Sequence, residues 1–409
     1  MTVPLARSRT VAALLLAWCA LALGLAPGAG AATDPAVWEE LAPGVAYRSF
    51  ERTASHGPVR VHLVSVDLRA EGVEVDLLYP GAVAAREPLS RLADARGAIA
   101  GVNGDFFNIS EVQHPGVEAT GAPVGPAIGG GRELKAAVPT GQRFGPALPP
   151  GTGTREVFGV GVDHRARMGR LALDGTVTDP AGSFPLGGLN QYALPVGAVG
   201  VFTADWGGAS RGRAVCGTDA DRAAPCASET YEVTVRGGRV VEVAERPGRG
   251  PVAEGTEVLV GREAGARRLR ELAVGDRVRV RHRLVEEGSG VPYRFAVGGF
   301  PVLRDGAALP GLDTVTAAVR TAAGITHGGR GLLLMALDGA PGLRAGMTMA
   351  EVAGLLAASG ASEGFSLDGG GSSTLVGRAP GDPAVTVRNH PSGGVERPVP
   401  NGIGVLSRR

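Results

Sequence analysis

Residues 365–376, Phe-Ser-Leu-Asp-Gly-Gly-Gly-Ser-Ser-Thr-Leu-Val, restrict the fold of this chain more than any other stretch. An apolar run delivers Asp368, then Gly369, Gly370 and Gly371, then Ser372, Ser373 and Thr374, before Leu375 and Val376 turn apolar again. The pattern predicts a buried strand, a polar loop and a return strand. Three successive glycines are costly to order, because each loses more backbone freedom on folding than any other residue. A flexible turn is the plainer alternative, but here a core strand and hydroxyls flank the glycines where a linker would continue. We therefore expect the bare backbone to turn several N–H groups toward an anion, with Asp368 and the hydroxyls as fixed polar contacts.

The remaining composition is that of an ordinary globular chain. Of 409 residues 44% are hydrophobic and 20% charged, and the formal charge is +1. That balance leaves no basic excess to neutralise phosphates along a duplex, so nucleic acid is not an expected partner. With 66 glycines and 29 prolines the chain should be rich in turns and short strands. The fold class expected is α+β: a mixed β-sheet core with a few short helices and a β-rich insert at residues 230–284.

Residues 1–31 have the form of an export signal. Arg7 and Arg9 precede an apolar run over 11–25, and Ala29-Gly30-Ala31 offers small residues for cleavage. The apolar run is shorter than the ~20 residues that a span needs, so no stable membrane span is expected after cleavage and the product is expected to be secreted. Cys216 and Cys226 then remain in an oxidising compartment, and a disulfide between them is the expected state.

Along the chain, residues 59–68 and 73–78 read as two strands joined by the turn 69–72, with His62 on the polar, solvated side of the first. Residues 88–95 suggest a short helix, and 98–102 a strand that delivers Asn103, Gly104 and Asp105 into a loop anchored by Phe106 and Phe107. Between 230 and 284 short alternating strands follow one another, their charges fitting a solvated face. Arg320 and Thr321 lie among small apolar residues. A buried arginine needs a partner, either a structural carboxylate or a bound anion. Residues 331–337 form the clearest buried strand and end in Asp338-Gly339; Thr348 and Glu351 then make a capping box, with Gly360 as the helix stop. Near the C-terminus Arg397 and Asn401 share a strand face at a spacing of four. Three core strands thus end in Asn103-Gly104, Asp338-Gly339 and Asp368-Gly369, and ligand sites gather at strand ends.

Several familiar chemistries fail on inspection. A nucleotide-binding loop requires a lysine after its glycines, where this chain has Ser372 and Ser373. Gly370-Gly371-Ser372-Ser373-Thr374 lacks the glycine spacing of a serine-hydrolase elbow, and the seven histidines form no metal-ligand pattern, so neither metal nor cofactor is expected. Carboxylates, amides, arginines and backbone N–H groups remain, a set suited to hydrolysis at a sugar carbon that bears an anionic leaving group.

Four segments, Gly101-Val102-Asn103-Gly104-Asp105-Phe106-Phe107, Arg320-Thr321-Ala322-Ala323-Gly324, Leu367-Asp368-Gly369-Gly370-Gly371-Ser372-Ser373-Thr374 and Arg397-Pro398-Val399-Pro400-Asn401, resemble in order the motifs of the phosphodiester glycosidases. The resemblance implies an α+β domain over 45–409 that hydrolyses a sugar-1-phosphodiester, such as an N-acetylglucosamine-1-phosphodiester, to free sugar and a phosphomonoester. It implies catalytic roles for Asp368, Asp338 and Arg320, and substrate or phosphate contacts from Asn103, Asp105, Thr321, Gly369, Gly370, Gly371, Ser372, Ser373, Arg397 and Asn401. Either Asp338 or Asp368 would stabilise the sugar cation or activate water. The chain departs from the pattern at Val319, Ala340 and Ala345. A non-catalytic module that holds cell-wall glycan or another anionic polymer is the alternative from a different class.

Overall fold

The structure, a computed structural model, describes residues 37–288 and 290–407. The expected export signal lies outside the described residues. Short strands dominate and helices are few, as the turn-rich composition requires: the mixed-sheet α+β class is the observed one.

Four sheets carry the described residues. The largest places Gly57–Asp67, Gly331–Leu337, Thr321–Thr326 and Glu363–Leu367 side by side, all antiparallel. Gly331–Leu337 is buried at every position, because neighbours cover both of its faces and edges. Such a strand reads as a continuous apolar run, which is why its sequence was unambiguous. A second sheet is built on Ala100–Asn103, flanked by Leu375–Gly377 and Gly402–Ser407. A single continuous core joins these sheets, from Val59 and Leu63 through Val102 and Phe106 to Phe365 and Ile403.

Two sequence expectations change here. The strands Gly57–Asp67 and Val73–Leu78 do not pair with each other; the first pairs with Val45–Ala54 and Gly331–Leu337, the second with Gly402–Ser407. The turn between them carries the chain from one sheet to another, a long-range choice that local alternation cannot reveal. Likewise the C-terminal strand begins only at Gly402 and is central in its sheet, so Arg397 and Asn401 sit in the segment leading into it.

Within 230–284, Thr230–Arg236, Arg239–Ala244 and Thr256–Arg262 share a sheet with Val199–Phe202 and Gly188–Leu189. The next strand, Arg279–Glu286, pairs instead with Ala166–Asp179. The helix Met349–Ala358 starts at the capping box, with the Thr348 hydroxyl accepting from the Glu351 N–H and the Glu351 carboxylate accepting from the Thr348 N–H at 2.8 Å. Cys216 and Cys226 form the disulfide. No helix among the described residues is long and apolar enough to cross a membrane.

Candidate active site

Antiparallel pairing decides where the strand ends fall. Thr321 opens its strand opposite both Ala336 and Leu367, so the residues that follow, Leu337-Asp338 and Asp368, emerge at the same edge of the large sheet. Residues 368–374 then cross to the second sheet, where Leu375 pairs with Val102. Asn103 lies beneath this crossing. Its Nδ2 donates to the Asp368 carbonyl at 2.7 Å, and its Oδ1 accepts from the Thr321 hydroxyl at 2.9 Å and the Thr374 N–H at 3.0 Å. The Asp368 N–H returns a bond to the Gly104 carbonyl, and Asn389 Nδ2 ties the Leu337 carbonyl to that of Ser373. Asn103, Asp338 and Asp368 thus belong to one corner of the molecule. Asn103 and Thr321 are fully buried, which makes them its pedestal.

The glycine loop differs from the expected cradle. Only Gly370 of the three adopts positive φ, at 59°. Residues Gly370–Ser372 close a 3₁₀ turn in which the Ser372 N–H donates to Gly369 O and the Ser373 N–H to Gly370 O, while the Gly370 N–H donates to Val319 O. Of the donors expected from 369–371, the Gly370 N–H is spent on Val319. Small size is used instead. A Cβ on Gly369 would lie 2.7 Å from Val319 O, and one on Gly371 would lie 2.3 Å from the Arg397 guanidinium. The glycines let the backbone and an arginine approach closely.

That arginine completes a chain of polar contacts. Arg397 Nη1 donates to Ser372 Oγ at 3.3 Å, and Ser372 in turn lowers the pKa of the Asp368 carboxyl beside it. Ser372 is buried; Asp368, Arg397 and the three glycines are half-buried and form the exposed face of the corner. Burial pushes the Asp368 carboxyl up to about 7, against the lowering influence of Ser372 and Arg397 and helped by the negative charge of Asp105. A largely buried carboxyl near neutrality, beside an arginine, is equipped to exchange a proton next to an anion. Ser373 does not join it: its hydroxyl accepts from Thr321 at 3.1 Å, deep inside.

Asp338 is differently placed. Oδ2 lies 3.0 Å from His62 Nε2 and Oδ1 accepts from the Ala340 N–H at 2.7 Å, so both carboxylate oxygens are engaged below the surface. His62 Nδ1 is 2.8 Å from the Tyr47 hydroxyl. His62 is therefore not the solvated residue expected from its strand position; it is 3% exposed. Its strand lies between two others, and the Leu63-Val64 pair breaks strict alternation where both faces are covered, the one local signal of its burial. Burial lowers the His62 pKa, and the hydrogen bond to the Asp338 carboxylate opposes that shift.

Arg320 is held by backbone carbonyls as well as by a charge. Its Nε donates to Met347 O at 3.0 Å and its Nη2 to Thr316 O at 2.8 Å, while the Asp313 carboxylate opposes the lowering of its pKa by burial. Asp105 is buried beneath the corner. Its N–H donates to Asn401 Oδ1 at 2.9 Å, and its Oδ2 accepts from the Gly125 N–H at 2.6 Å. The Gly125 carbonyl accepts in turn from Lys135, the single lysine of the chain, whose ammonium also reaches Val124 O and Ala136 O. Burial pushes the Asp105 carboxyl up and the Lys135 ammonium down, while their opposite charges hold each other ionised. Lys135 carried no signal in the sequence beyond its being alone.

His114 lies near Cys216 and Cys226, but the sulfurs are bonded to each other and both histidine nitrogens are engaged, with Glu111 and with the Ala224 carbonyl. That trio offers no ligand set. Concavities of about 690, 760 and 820 Å³ lie elsewhere, the first beside the disulfide and the others along the strand Arg279–Glu286.

Residues 229–406 match the family model of the phosphodiester glycosidases. No curated protein matches the chain. Among solved structures, a hypothetical protein from Synechocystis is 20% identical with a TM-score of 0.69; the match covers 92% of this chain and 65% of that one. The chain thus spans less than two thirds of the Synechocystis protein. A proposed exported protein from Burkholderia pseudomallei is 22% identical with a TM-score of 0.69, covering 90% of this chain and 96% of that one. The catalytic domain of zebrafish N-acetylglucosamine-1-phosphodiester α-N-acetylglucosaminidase is 16% identical with a TM-score of 0.44, covering 92% and 88%. The first two share the fold of this chain.

Proposed function

We propose, from the match of residues 229–406 to the phosphodiester glycosidase family model, that the protein hydrolyses the glycosidic bond of a sugar-1-phosphodiester to give free sugar and a phosphomonoester. The observation that carries this reading is the Asp368–Ser372–Arg397 chain on the exposed face of the corner. Arg397 receives the phosphodiester and takes up the charge that develops on it. As the C1–O bond breaks, its electron pair leaves with the phosphate oxygen, and a water attacks C1 while the Asp368 carboxylate accepts its proton. A phosphomonoester is already a good leaving group, so acid assistance matters less than in ordinary glycoside hydrolysis. Asp368 is assigned the base role over Asp338 because Asp338 has both oxygens committed to His62 and Ala340. Asn103, Thr321, Ser373 and Asn401 hold the corner in shape; Asp105 biases the Asp368 carboxyl from below. The chemistry needs no cofactor.

The motif resemblance favours N-acetylglucosamine-1-phosphodiesters as the sugar class, and the n-region, apolar run and small residues of 1–31 favour secretion. Incubating the protein with an aryl or alkyl α-N-acetylglucosamine-1-phosphodiester should release reducing sugar, and Asp368→Asn should abolish the release. Binding of the phosphodiester with no sugar released would instead support the non-catalytic glycan-binding module.

A further inference from the structure

The strand Arg279–Glu286 carries charge that the corner above does not use. Arg277, Arg279, Arg281 and Arg283 are all exposed and recur every second residue, so they share one face, spaced roughly 6.6 Å apart. The opposite face turns Val280 and Leu284 into the second core cluster, which pins the register and keeps the arginines outward. Across the ladder, Arg279 faces Thr178, Arg281 faces Thr176 and Arg283 faces Asp174. Arg283 pairs with Asp174 at 2.8 Å, whereas among the described residues Arg277, Arg279 and Arg281 form no ion pair. Of the acids that line the two concavities beside the row, Asp174 is taken by Arg283 and Asp179 by Arg268, which leaves Glu257. The row lines two adjoining concavities of about 760 and 820 Å³, and neither contains a Phe, Tyr or Trp side chain.

A file of like charges in which three members lack counter-charges is unfavourable in the isolated protein and favourable under a polyanion. We infer that this face binds a linear polymer of alditol or glycosyl phosphodiesters, whose backbone phosphates recur at about the interval of the arginines. The choice of this polymer over other polyanions rests on the phosphodiester reading of the corner. Two observations set it apart from single-stranded nucleic acid: no aromatic platform is available for stacking bases, and the chain as a whole is near neutral. Guanidinium groups suit the task because each can hold a phosphate in bidentate fashion.

The test uses poly(glycerol phosphate) and a small aryl sugar-1-phosphodiester, with wild type and the triple variant Arg277→Thr, Arg279→Thr, Arg281→Thr, since threonine suits a strand. The variant should bind the polymer at least tenfold more weakly, and its log affinity should fall less steeply with log salt, by about 2 in slope. Its hydrolysis of the small substrate should be unchanged. Arg→Lys changes at the same positions should retain most polymer binding, which separates charge from folding. Equal polymer binding by wild type and the threonine variant would overturn the inference, as would tighter binding of single-stranded DNA of equal charge. If wild type leaves the small phosphodiester intact yet binds the polymer through the ladder, the hydrolytic reading fails and the ladder stands. If it cleaves the small substrate while wild type and the threonine variant bind the polymer equally, the reverse holds.

Discussion

His62 Nε2 sits 3.0 Å from Asp338 Oδ2 with both side chains below the surface, and this contact divides the two aspartates of the corner by role. Asp338 is held, and Asp368 faces outward. His62→Ala would leave a buried carboxylate without its partner, a change that costs about 3 kcal/mol or more. Denaturant unfolding should show that loss, and Asp338→Asn should also destabilise. Turnover per folded molecule should fall by no more than about tenfold in Asp338→Asn, against 10²–10⁴-fold in Asp368→Asn, the range for a lost acid–base group. Equal losses in the two would reverse the assignment.

Asp368 should write its titration into the pH profile. With the carboxyl pushed up to about 7 by burial, the ionised base accumulates only as pH rises, so kcat/KM should climb through about 7 and level roughly one unit above it. Stability runs the other way. A carboxyl raised above its unfolded value of 3.8 contributes fully below that value, and its contribution is lost as pH rises through about 7. At pH 8 Asp368→Asn should therefore have a higher Tm than wild type while being inactive. An acid-limited profile, falling above 7, would instead make Asp368 a proton donor.

Arg397 and Gly371 form a second test. Removing a hydrogen bond to a charged group costs about 1.5–3 kcal/mol, so Arg397→Ala should lower kcat/KM roughly tenfold to 150-fold. Gly371→Ala places a methyl where the guanidinium now lies and should move activity in the same direction by a smaller amount, with little effect on Tm. Steady-state kinetics on one small phosphodiester would measure both.

Asp105 and Lys135 are linked through the Gly125 peptide, which donates to one and accepts from the other. Each single change, Asp105→Asn or Lys135→Met, should destabilise, and the double variant should lose less than the sum by at least about 0.5 kcal/mol. Additivity in chemical denaturation would show that the two charges do not sense each other.

Much of the corner was legible from residues alone. Residues 365–376 announced a strand, a loop and a return, and the polar ends at Asn103, Asp338 and Asp368 stood out because each follows an apolar run. The capping box at Thr348 and Glu351 was equally plain, being a contact three residues long. What the loop does with its glycines was not legible. Glycine permits a free N–H row and a 3₁₀ turn alike, and only the neighbours Val319 and Arg397 select the second.

His62 marks the same boundary from the other side. Alternation along its strand assigns a polar side, but a third strand, Gly331–Leu337, and the chain beyond it cover that side with contacts more than 270 residues away. Amino-acid order by itself settled which segments are strands, which end in chemistry-bearing residues and which family they resemble, since those depend on neighbours in the chain. Which carboxylate is tethered, which arginine meets the loop and which face of Arg279–Glu286 stays uncovered were decided only by tertiary pairing, because burial and charge are properties of what packs against a residue.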